Sequence, residues 1–509
     1  MALKIAVRVD ASVHIGVGHV MRCLTLADSL QRQGAEVSFI CRAHKGNLIQ
    51  YIKDKGYIVY PLEFSDKVFS GDGSGTLAHM NWLGTTQNND AKDCQSAMEA
   101  LCPDWLIVDH YALDFRWHNQ FKEKYKKLMV IDDLADRKHD CDLLLDQTFG
   151  RKEKDYVGFV PHGCKLLLGT NYALLRPEFP QWREYSLQRR VKSELKNIII
   201  SMGGIDQNNL TGQVLEVLKT CTLPQEVTIT VILGAATPNI DMVKLLAVTM
   251  PYVTNVKVNV ENMAELMTNA DLAIGAAGST TWERCCLGLP SIQLVVAVNQ
   301  MLIAKNLREA CVIEYIENLS DLPVKLNETV KKFKKLSLLS SMVTDGDGSK
   351  KVCDYMISNV SIDEMITLKP ISINDCEYVY SLQTTESRKF SINPVKPSWA
   401  EHIEWFEKTI YEYSSVLFII MLGQLPTGFI KFDNINGKDI NVSIIIDSKY
   451  SGRGIAKKSL SQFIKLQPGR YFKATIHKEN IPSQKVFENI GFAKLGESGD
   501  FFQYAMLNG

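Results

Sequence analysis

Short apolar runs alternate with amphipathic stretches over the first two thirds of the chain. The apolar run 3–9 is followed by a loop containing Gly16 and Gly18, and then by apolar positions at helical spacing over 19–33. The next apolar run is 37–41. This order predicts a β-strand, α-helix, β-strand unit and hence a parallel sheet.

Two further predicted strands end in aspartates. The strand at 105–108 is followed by Asp109, and the strand at 128–131 by Asp132 and Asp133. Parallel α/β sheets bind ligands beyond the carboxyl ends of their strands. We therefore expect these carboxylates and the first glycine loop to share one edge of the sheet.

A second series of predicted strands carries glycine turns at its carboxyl ends. The turns 201–204 and 275–281 each lead into helical sequence, where backbone N–H groups at helix N-termini suit phosphate oxygens. Two such turns suit a diphosphate, although either turn alone is equally typical of an ordinary tight connection. The pattern predicts two Rossmann-like domains facing each other across a ligand cleft. The strands of the second domain are predicted at 197–200, 227–233, 256–258, 271–274 and 291–294.

The pattern changes at about residue 365. Predicted strands at 416–422 and 429–432 are typical of an antiparallel sheet, and a strand at 442–446 runs into the glycine-containing segment 450–456 and a helix. The sequence therefore predicts an α/β chain of three domains. Their predicted bounds are 1–155, 156–355 and 364–509.

Composition limits the partners of the chain. Of its 509 residues 46% are hydrophobic and 22% charged, an ordinary globular balance. Lys+Arg and Asp+Glu both total 57, so no net charge attracts nucleic acid or an anionic membrane, and we predict neither partner. No apolar run approaches the roughly 20 residues that cross a bilayer. The N-terminus has the pattern of a strand rather than of a signal peptide, so we expect a cytoplasmic protein.

No metal site is predicted. The twelve cysteines include no C-x-x-C pair, so they outline neither a zinc module nor a disulfide framework. The acidic stretch 132–142 contains oxygen ligands suited to magnesium, but Arg137, Lys138 and His139 within it are more typical of a solvated loop.

The first glycine loop places a histidine at a helix N-terminus. The positive end of the helix dipole there favours the neutral imidazole, so His19 is a candidate base, and a simple capping role is the alternative. Gly16 and Gly18 match the start of a dinucleotide fingerprint, but Met21 stands where the third glycine belongs. A dinucleotide site is therefore disfavoured.

Two other groups of residues suggest ligands. Glu283 lies one helical turn after the second glycine turn, where a carboxylate suits ribose hydroxyls. In the third domain, small residues between a strand and a helix let consecutive amides approach a pyrophosphate, as in a coenzyme A site. These residues are Gly452, Gly454 and Ala456, and Asn480 with Ser483 has the spacing of the second half of such a site.

Residues 1 to about 350 resemble the UDP-sugar hydrolases of the pseudaminic acid pathway, which release UDP from UDP-2,4-diacetamido-2,4,6-trideoxy-β-L-altrose. The resemblance rests on GVGHVMR at 16–22, IVDHY at 107–111, VIDDL at 130–134 with CDLLLD at 141–146, LGTNYALLR at 168–176 and GSTTWERCC at 278–286.

This resemblance implies a GT-B-type pair of domains, similar to the glycosyltransferases that make peptidoglycan lipid intermediates, with UDP held mainly by the second domain. It implies that His19 is the catalytic base. The sugar or its attacking water would be oriented by residues of the first domain: Gly16, Gly18, Asp109, Tyr111, Asp132 and Asp133. UDP would be bound by Gly203, Gly204, Gly278, Ser279, Thr280, Thr281, Glu283, Asn299 and Gln300.

Residues from about 365 to 509 resemble GNAT acetyltransferases, most nearly the UDP-4-amino-sugar N-acetyltransferase of the same pathway. Two positions depart from the pattern: Ser451 replaces the usual Gln or Arg, and Phe487 replaces the tyrosine that often protonates the leaving thiolate. The resemblance implies acetyl-CoA as co-substrate. It would be bound by Gly452, Arg453, Gly454, Ile455, Ala456, Asn480 and Ser483, with His477, Glu479 and Glu404 as possible bases.

The two resemblances together imply a bifunctional enzyme of pseudaminic acid biosynthesis. The C-terminal domain would acetylate the 4-amino group of a UDP-linked amino sugar, and the N-terminal part would then hydrolyse the product to free sugar and UDP through water attack at C1. Two alternatives stay open. For the N-terminal part the alternative is a glycosyltransferase of GT-B type. For the C-terminal domain it is a non-catalytic acetyl-CoA sensor, because of Ser451 and Phe487.

Overall fold

The computed structural model describes residues 2–64, 77–191, 194–296, 300–358 and 365–508. The chain divides into two compact units. The first comprises Met1–Pro177 with Gly346–Val360, and the second comprises Glu178–Asp345 with Ser361–Gly509.

A seven-stranded parallel sheet forms the first unit. Its strands are β1 Lys4–Val9, β2 Glu36–Arg42, β3 Ile58–Leu62, β4 Trp105–Asp109, β5 Lys127–Ile131, β6 Leu143–Asp146 and β7 Lys165–Leu168. They lie in the order β3-β2-β1-β4-β5-β6-β7. The central strand β4 is buried at every position, as expected for a parallel strand covered by helices on both faces. The helices are α1 Gly18–Arg32, α2 Ile49–Asp54, α3 Gln87–Leu101, α4 Phe115–His118 and, from later in the chain, α13 Gly348–Ser358.

The first unit extends beyond residue 155, where the sequence-based division ends the first domain. Strand β7 pairs with β6, and α13 returns to pack beside α1. Gln33 Nε2 at the end of α1 donates to Asp354 Oδ1 on α13 at 3.4 Å.

The second unit begins with a six-stranded parallel sheet. Its strands are β8 Asn197–Ser201, β9 Thr228–Leu233, β10 Val253–Val258, β11 Leu272–Ala276, β12 Ser291–Leu294 and β13 Glu314–Ile316. They lie in the order β10-β9-β8-β11-β12-β13. Strands β8 and β11, which precede the two predicted glycine turns, are neighbours at its centre. The helices are α5 Glu178–Arg190, α6 Leu210–Lys219, α7 Ile240–Val248, α8 Met263–Asn269, α9 Thr280–Cys286, α10 Met301–Glu309, α11 Leu322–Lys331 and α12 Phe333–Ser341.

The same unit ends in a mixed seven-stranded sheet. Its strands are β14 Ile366–Pro370, β15 Val416–Leu422, β16 Leu425–Asp433, β17 Asp439–Ile446, β18 Tyr471–His477, β19 Ala493–Ser498 and β20 Phe501–Leu507. They lie in the order β14-β15-β16-β17-β18-β20-β19. All these strand pairs are antiparallel except β17 with β18. The helices are α14 Cys376–Ser381, α15 Thr385–Arg388, α16 Trp399–Tyr411, α17 Ile455–Lys465 and α18 Ile481–Glu488.

Within the second unit, a buried lysine joins a helix of the parallel-sheet part to a helix of the mixed-sheet part. Lys335 on α12 donates from Nζ to the carbonyl oxygens of Ile410 and Glu412, the second at 2.6 Å, where α16 ends. A cation suits the negative end of a helix dipole. Burial nevertheless lowers the pKa of Lys335 to about 8.

The predicted fold class is confirmed: two parallel-sheet α/β domains precede a mixed-sheet α/β domain. Across the described residues, the helices are too short or too polar to cross a membrane. The described part of the chain also contains no cluster of three or more His, Cys, Asp or Glu side chains arranged to hold a metal ion.

Candidate active sites

His19 lies in the first turn of α1, at the carboxyl edge of the first sheet. The preceding loop is closed by a 2.8 Å hydrogen bond from Gly16 N to Ser12 O, and Gly16 adopts a left-handed φ of 79°, which favours glycine. Apart from the neighbouring backbone, no heavy atom of the described residues lies within 4 Å of where a Cβ would stand at Gly16 or Gly18. The two glycines therefore leave open space beside the histidine, which is itself buried.

The carboxylate of Asp109, at the end of β4, holds the His19 ring. Its Oδ1 lies 2.6 Å from His19 Nδ1, and Arg22 donates to both of its oxygens, from Nε and Nη2, at 2.7 Å. His19 and Arg22 reach the same carboxylate because residues three apart share a helix face. Burial opposes ionisation of Asp109, but Arg22 and His19 outweigh it and hold the pKa of Asp109 well below its ordinary value.

The ionised carboxylate fixes the tautomer of His19. Because Asp109 only accepts hydrogen bonds, the short contact places the ring proton on Nδ1 and the lone pair on Nε2. Among the described residues, Nε2 has no hydrogen-bond partner. An imidazole held in this way can accept a proton at Nε2.

Tyr111 and Asp133 complete this group. The Tyr111 hydroxyl donates to Asp133 Oδ1, and Arg22 Nη1 donates to Asp133 Oδ2 at 2.9 Å. The Tyr111 ring meets the His19 ring edge-on at 4.6 Å between centroids. The structure therefore brings four sequence-predicted residues together, and Arg22 links three of them.

Asp132 does not join this group. Its side chain accepts from Tyr156 OH at 3.1 Å and from Ala135 N at 3.0 Å, and it pairs with Arg137 at 2.8 Å. Asp132 and Asp133 directly follow β5, and their side chains have different partners. Asp132 therefore organises the loop behind the site.

Two aromatic side chains beside His19 were not predicted from the sequence. Trp82 stacks on Tyr111 with centroids 5.5 Å apart and meets His19 edge-on at 6.2 Å, while His79 lies 4.4 Å from Trp82. These two residues stand in a stretch without strand or helix periodicity, so no pattern marked them. Burial lowers the pKa of His79.

A second carboxyl group with an altered pKa ends β6. Asp146 accepts from Tyr156 OH at 2.9 Å and from Arg151, and Arg151 also donates to the carbonyl of Asp133 at 2.7 Å. Burial outweighs the effect of Arg151 and raises the pKa of Asp146 to about 6. The group is linked through Arg151 to the backbone of the His19 site.

In the second sheet, the first glycine turn follows β8. Gly203 has a left-handed φ of 94°, and the carbonyl of Gly204 lies against Gly234, where a Cβ would clash. Asp206 accepts from the backbone N–H groups of Leu210 and Thr211 at 2.8 and 2.9 Å and so caps α6. The Gly203–Gly204 turn is thus held by close backbone packing.

The second glycine turn follows β11 and leads into α9. Gln300 Nε2 lies 3.6 Å from where a Cβ of Gly278 would stand, so these two predicted residues are neighbours. Thr281 is buried and donates from Oγ1 to Gln293 Oε1 at 3.0 Å, so its hydroxyl braces the turn. Ser279 and Thr280 begin α9, and Glu283 lies in its first turn. Asn299 lies outside the described residues.

In the third sheet, the glycine segment follows β17. Gly452 and Gly454 have left-handed φ of 78° and 72°, and Gly454 starts α17, whose first residues include Ile455 and Ala456. Arg453 lies over the Tyr450 ring at 5.5 Å. Asn480 Oδ1 accepts from Ser483 N at 3.2 Å and caps α18. Both segments are loop-to-helix transitions.

Strands β17 and β18 separate after three paired residues. Asp439–Asn441 pairs with Tyr471–Lys473, and the described pairing stops there. On this side, residues 442–446 of β17 therefore have no strand partner within the described chain. Such a gap exposes backbone N–H groups to a ligand.

Phe487 is buried against Phe492, with ring centroids 4.9 Å apart. Tyr378 carries a buried hydroxyl with no hydrogen-bond partner among the described residues, and its ring packs in the cluster that contains Ile445 of β17. Burial raises the pKa of Tyr378, so its hydroxyl keeps its proton. His477 Nδ1 accepts from Glu479 N at 3.2 Å.

Comparisons with known proteins agree with this division. Residues 365–493 match the model described as an acetyltransferase (GNAT) domain, and residues 197–351 match the glycosyltransferase family 28 C-terminal domain. An uncharacterized protein of Methanocaldococcus jannaschii is 26% identical over 97% of both chains, so the similarity spans both parts together.

The N-terminal part also has a named homologue. The UDP-2,4-diacetamido-2,4,6-trideoxy-beta-L-altropyranose hydrolase of Campylobacter jejuni is 28% identical over 56% of this chain and 89% of its own. The crystal structure of Acinetobacter baumannii MurG superposes with a TM-score of 0.52 at 16% identity, covering 71% of this chain and 100% of MurG. This likeness shows the fold of the first two domains, and the resemblance to the pathway hydrolases and to GNAT domains is confirmed.

Proposed function

We propose that the chain is a bifunctional enzyme of pseudaminic acid biosynthesis. Its N-terminal part hydrolyses UDP-2,4-diacetamido-2,4,6-trideoxy-β-L-altrose to the free sugar and UDP, and its C-terminal domain acetylates the 4-amino group of the precursor UDP-sugar with acetyl-CoA. The His19–Asp109 pair at the carboxyl edge of the first sheet carries the first half of this proposal. The name of the C. jejuni homologue and the GNAT match support the two chemistries.

His19 acts as the base of the hydrolysis. Its Nε2 takes a proton from water as the water oxygen forms a bond to C1 of the sugar, and the bond between C1 and the UDP oxygen breaks. Attack opposite the leaving group inverts C1. Asp109 stabilises the imidazolium that forms, because its carboxylate already accepts from Nδ1.

The leaving group needs electrostatic help rather than a proton. UDP departs as a stable anion, so no second carboxylic acid is required, in contrast to a glycosidase. Backbone amides of the turns at Gly203–Gly204 and 278–281 suit the charge that develops on the diphosphate. Glu283 is the proposed ligand of the ribose hydroxyls.

The acetyl transfer uses the gap beside β17. Backbone N–H groups of 442–446 polarise the thioester carbonyl, and the amides around Gly452 and Gly454 hold the pyrophosphate of acetyl-CoA. The neutral amine attacks the carbonyl carbon, and a base, for which His477, Glu479 and Glu404 are the candidates, takes the proton that the nitrogen loses. The C–S bond then breaks, and the coenzyme A thiolate takes up a proton. The position of Phe487 leaves this acid role to another group, for which Tyr378 is a candidate.

An NMR time course tests both halves. The substrate is UDP-4-amino-4,6-dideoxy-N-acetyl-β-L-altrosamine, with and without acetyl-CoA, and acetylation and UDP release are followed together. We expect acetylation first, and a His19→Ala variant that accumulates the acetylated UDP-sugar with hydrolysis at least about 100-fold slower. The exposed His162→Ala serves as the matched control and should behave as the intact chain.

Each half fails separately in this experiment. If synthetic diacetylated UDP-sugar is not hydrolysed, the N-terminal assignment is wrong. If it is hydrolysed but the amine is never acetylated, the C-terminal domain has another substrate or only senses acetyl-CoA.

A glycosyltransferase is the second candidate for the N-terminal part. The match of residues 197–351 to the glycosyltransferase family 28 C-terminal domain favours it. Release of UDP with water as the sole acceptor distinguishes the hydrolase from this alternative.

A further inference from the structure

A fully buried arginine lies under the glycine turns of the second sheet. Arg284 on α9 is 2% exposed, and its Nη2 donates to the carbonyl of Ala276 at 2.6 Å and to Thr281 Oγ1 at 3.1 Å. These two residues are the two ends of the second turn. The guanidinium therefore closes that turn from beneath.

The same guanidinium lies against Gly275 in β11, beside the end of β8. A Cβ on Gly275 would stand 2.5 Å from Arg284 Nη1 and would also clash with the carbonyl of Ser201, the last residue of β8. Since β8 and β11 are neighbours, Arg284 lies where the two glycine-bearing connections leave the sheet. Gly275 has no side chain at the point where one would displace the arginine.

The charge of Arg284 is poorly neutralised. The partners of Nη2 are a carbonyl and a hydroxyl, Nε is buried without a partner, and among the described residues no carboxylate forms an ion pair with the guanidinium. Burial lowers the pKa of Arg284 to about 10. A buried cation is ordinarily paired, so this arrangement favours an anion arriving nearby.

We propose that Arg284 is the buried countercharge of the bound diphosphate and the positioning residue that holds the second glycine turn in its binding shape. The inference rests on the proposed UDP site and assigns a role to a residue that need not touch the ligand. By binding the Ala276 carbonyl from below, Arg284 keeps that oxygen away from the anion. Its own charge acts on the diphosphate through the protein interior, where it is screened less than at the surface.

The test compares UDP with uridine, which lacks the diphosphate, as probes of the intact chain. Arg284→Met should weaken UDP binding at least tenfold, about 1.4 kcal/mol, and leave uridine affinity within twofold. Arg284→Lys keeps the positive charge but loses the planar set of N–H donors of the guanidinium. It should therefore show a preference for UDP over uridine between those of the intact chain and of Arg284→Met. Arg190→Met removes another buried arginine of the same unit and should change neither affinity.

Melting temperatures establish that each variant is folded. A purely structural role predicts that Arg284→Met weakens UDP and uridine binding equally, and that result, or no change in either, overturns the proposal. If Arg284→Met does not fold, Arg284→Gln carries the test, because glutamine keeps hydrogen-bond donors but not the charge, and an unchanged preference for UDP over uridine in that variant also overturns the proposal. A wild-type chain that binds UDP no better than uridine refutes the UDP site itself, and the inference falls with it.

Discussion

Replacing Asp109 by asparagine tests the central feature of the first site. Among the described residues, each oxygen of this carboxylate accepts two hydrogen bonds. Oδ1 accepts from His19 Nδ1 and Arg22 Nη2, and Oδ2 accepts from Arg22 Nε and Cys23 Sγ. The amide NH₂ that Asp109→Asn introduces would face a donor of Arg22 in either orientation. The variant therefore loses the negative charge and at least one hydrogen bond.

The expected losses follow from these contacts. A hydrogen bond to a charged group contributes about 1.5–3 kcal/mol, which corresponds to roughly 10- to 150-fold in rate. Removing one partner of a buried ion pair costs about 3–5 kcal/mol. Because Arg22 keeps its bond to Asp133, we expect a loss of stability near the lower end of that range.

The assay separates catalysis from stability. UDP release is measured at saturating substrate, together with the free energy of unfolding from denaturant titration. Asp90→Asn is the matched control, since Asp90 is also fully buried and paired with Arg8 and Arg42 but does not touch His19. It should lose comparable stability and keep its kcat. If Asp109→Asn keeps kcat within threefold of the intact chain, the pairing of His19 with Asp109 has no catalytic role.

Three further predictions concern other buried groups. The pKa of Asp146 is raised to about 6, above its ordinary value of about 3.9. The stability that Asp146 contributes is therefore full below pH ~4 and is lost as pH rises through ~6. Asp146→Asn should flatten this part of a plot of melting temperature against pH, and an unchanged slope contradicts the raised pKa. Lys335→Met leaves the carbonyls of Ile410 and Glu412 without their donor, so it should cost roughly 1–3 kcal/mol in denaturant titration, and an unchanged unfolding free energy contradicts it. Tyr378→Phe should lower kcat of acetyl transfer, followed by thiol release, at least about tenfold with unchanged acetyl-CoA affinity; an unchanged kcat removes Tyr378 as the acid.

The sequence predicted the edge of the first sheet but not the contacts on it. Strand periodicity is local, so it placed Asp109, Asp132 and Asp133 at strand ends and His19 at a helix start. Which of the two neighbouring aspartates faces His19 depends on the direction of each side chain after β5, and composition does not reveal this. In the structure Asp133 lies in the site, where it accepts hydrogen bonds from Arg22 and Tyr111.

Site residues outside long helices and strands could not be predicted from the sequence pattern. Trp82 belongs to a short 3₁₀ turn, Met80–Leu83, whose residues have no period to detect, and only the fold stacks it on Tyr111. Arg284 was hidden for the opposite reason. In the sequence Arg284 is an ordinary charged residue of a helix, and such residues are normally exposed. Only the structure shows that it is buried beside the second glycine turn.

The two parallel-sheet domains handle charge in opposite ways. In the first domain, Arg22 neutralises the negative charge of Asp109 before any ligand binds, and His19 keeps a fixed tautomer. In the second, Arg284 has no carboxylate partner among the described residues and gains most when an anion arrives. Changes at Asp109 should therefore act mainly on kcat, because they alter the base. Changes at Arg284 should raise KM, because the diphosphate is already charged in the ground state, and should also lower kcat, because further charge develops on the diphosphate as UDP leaves.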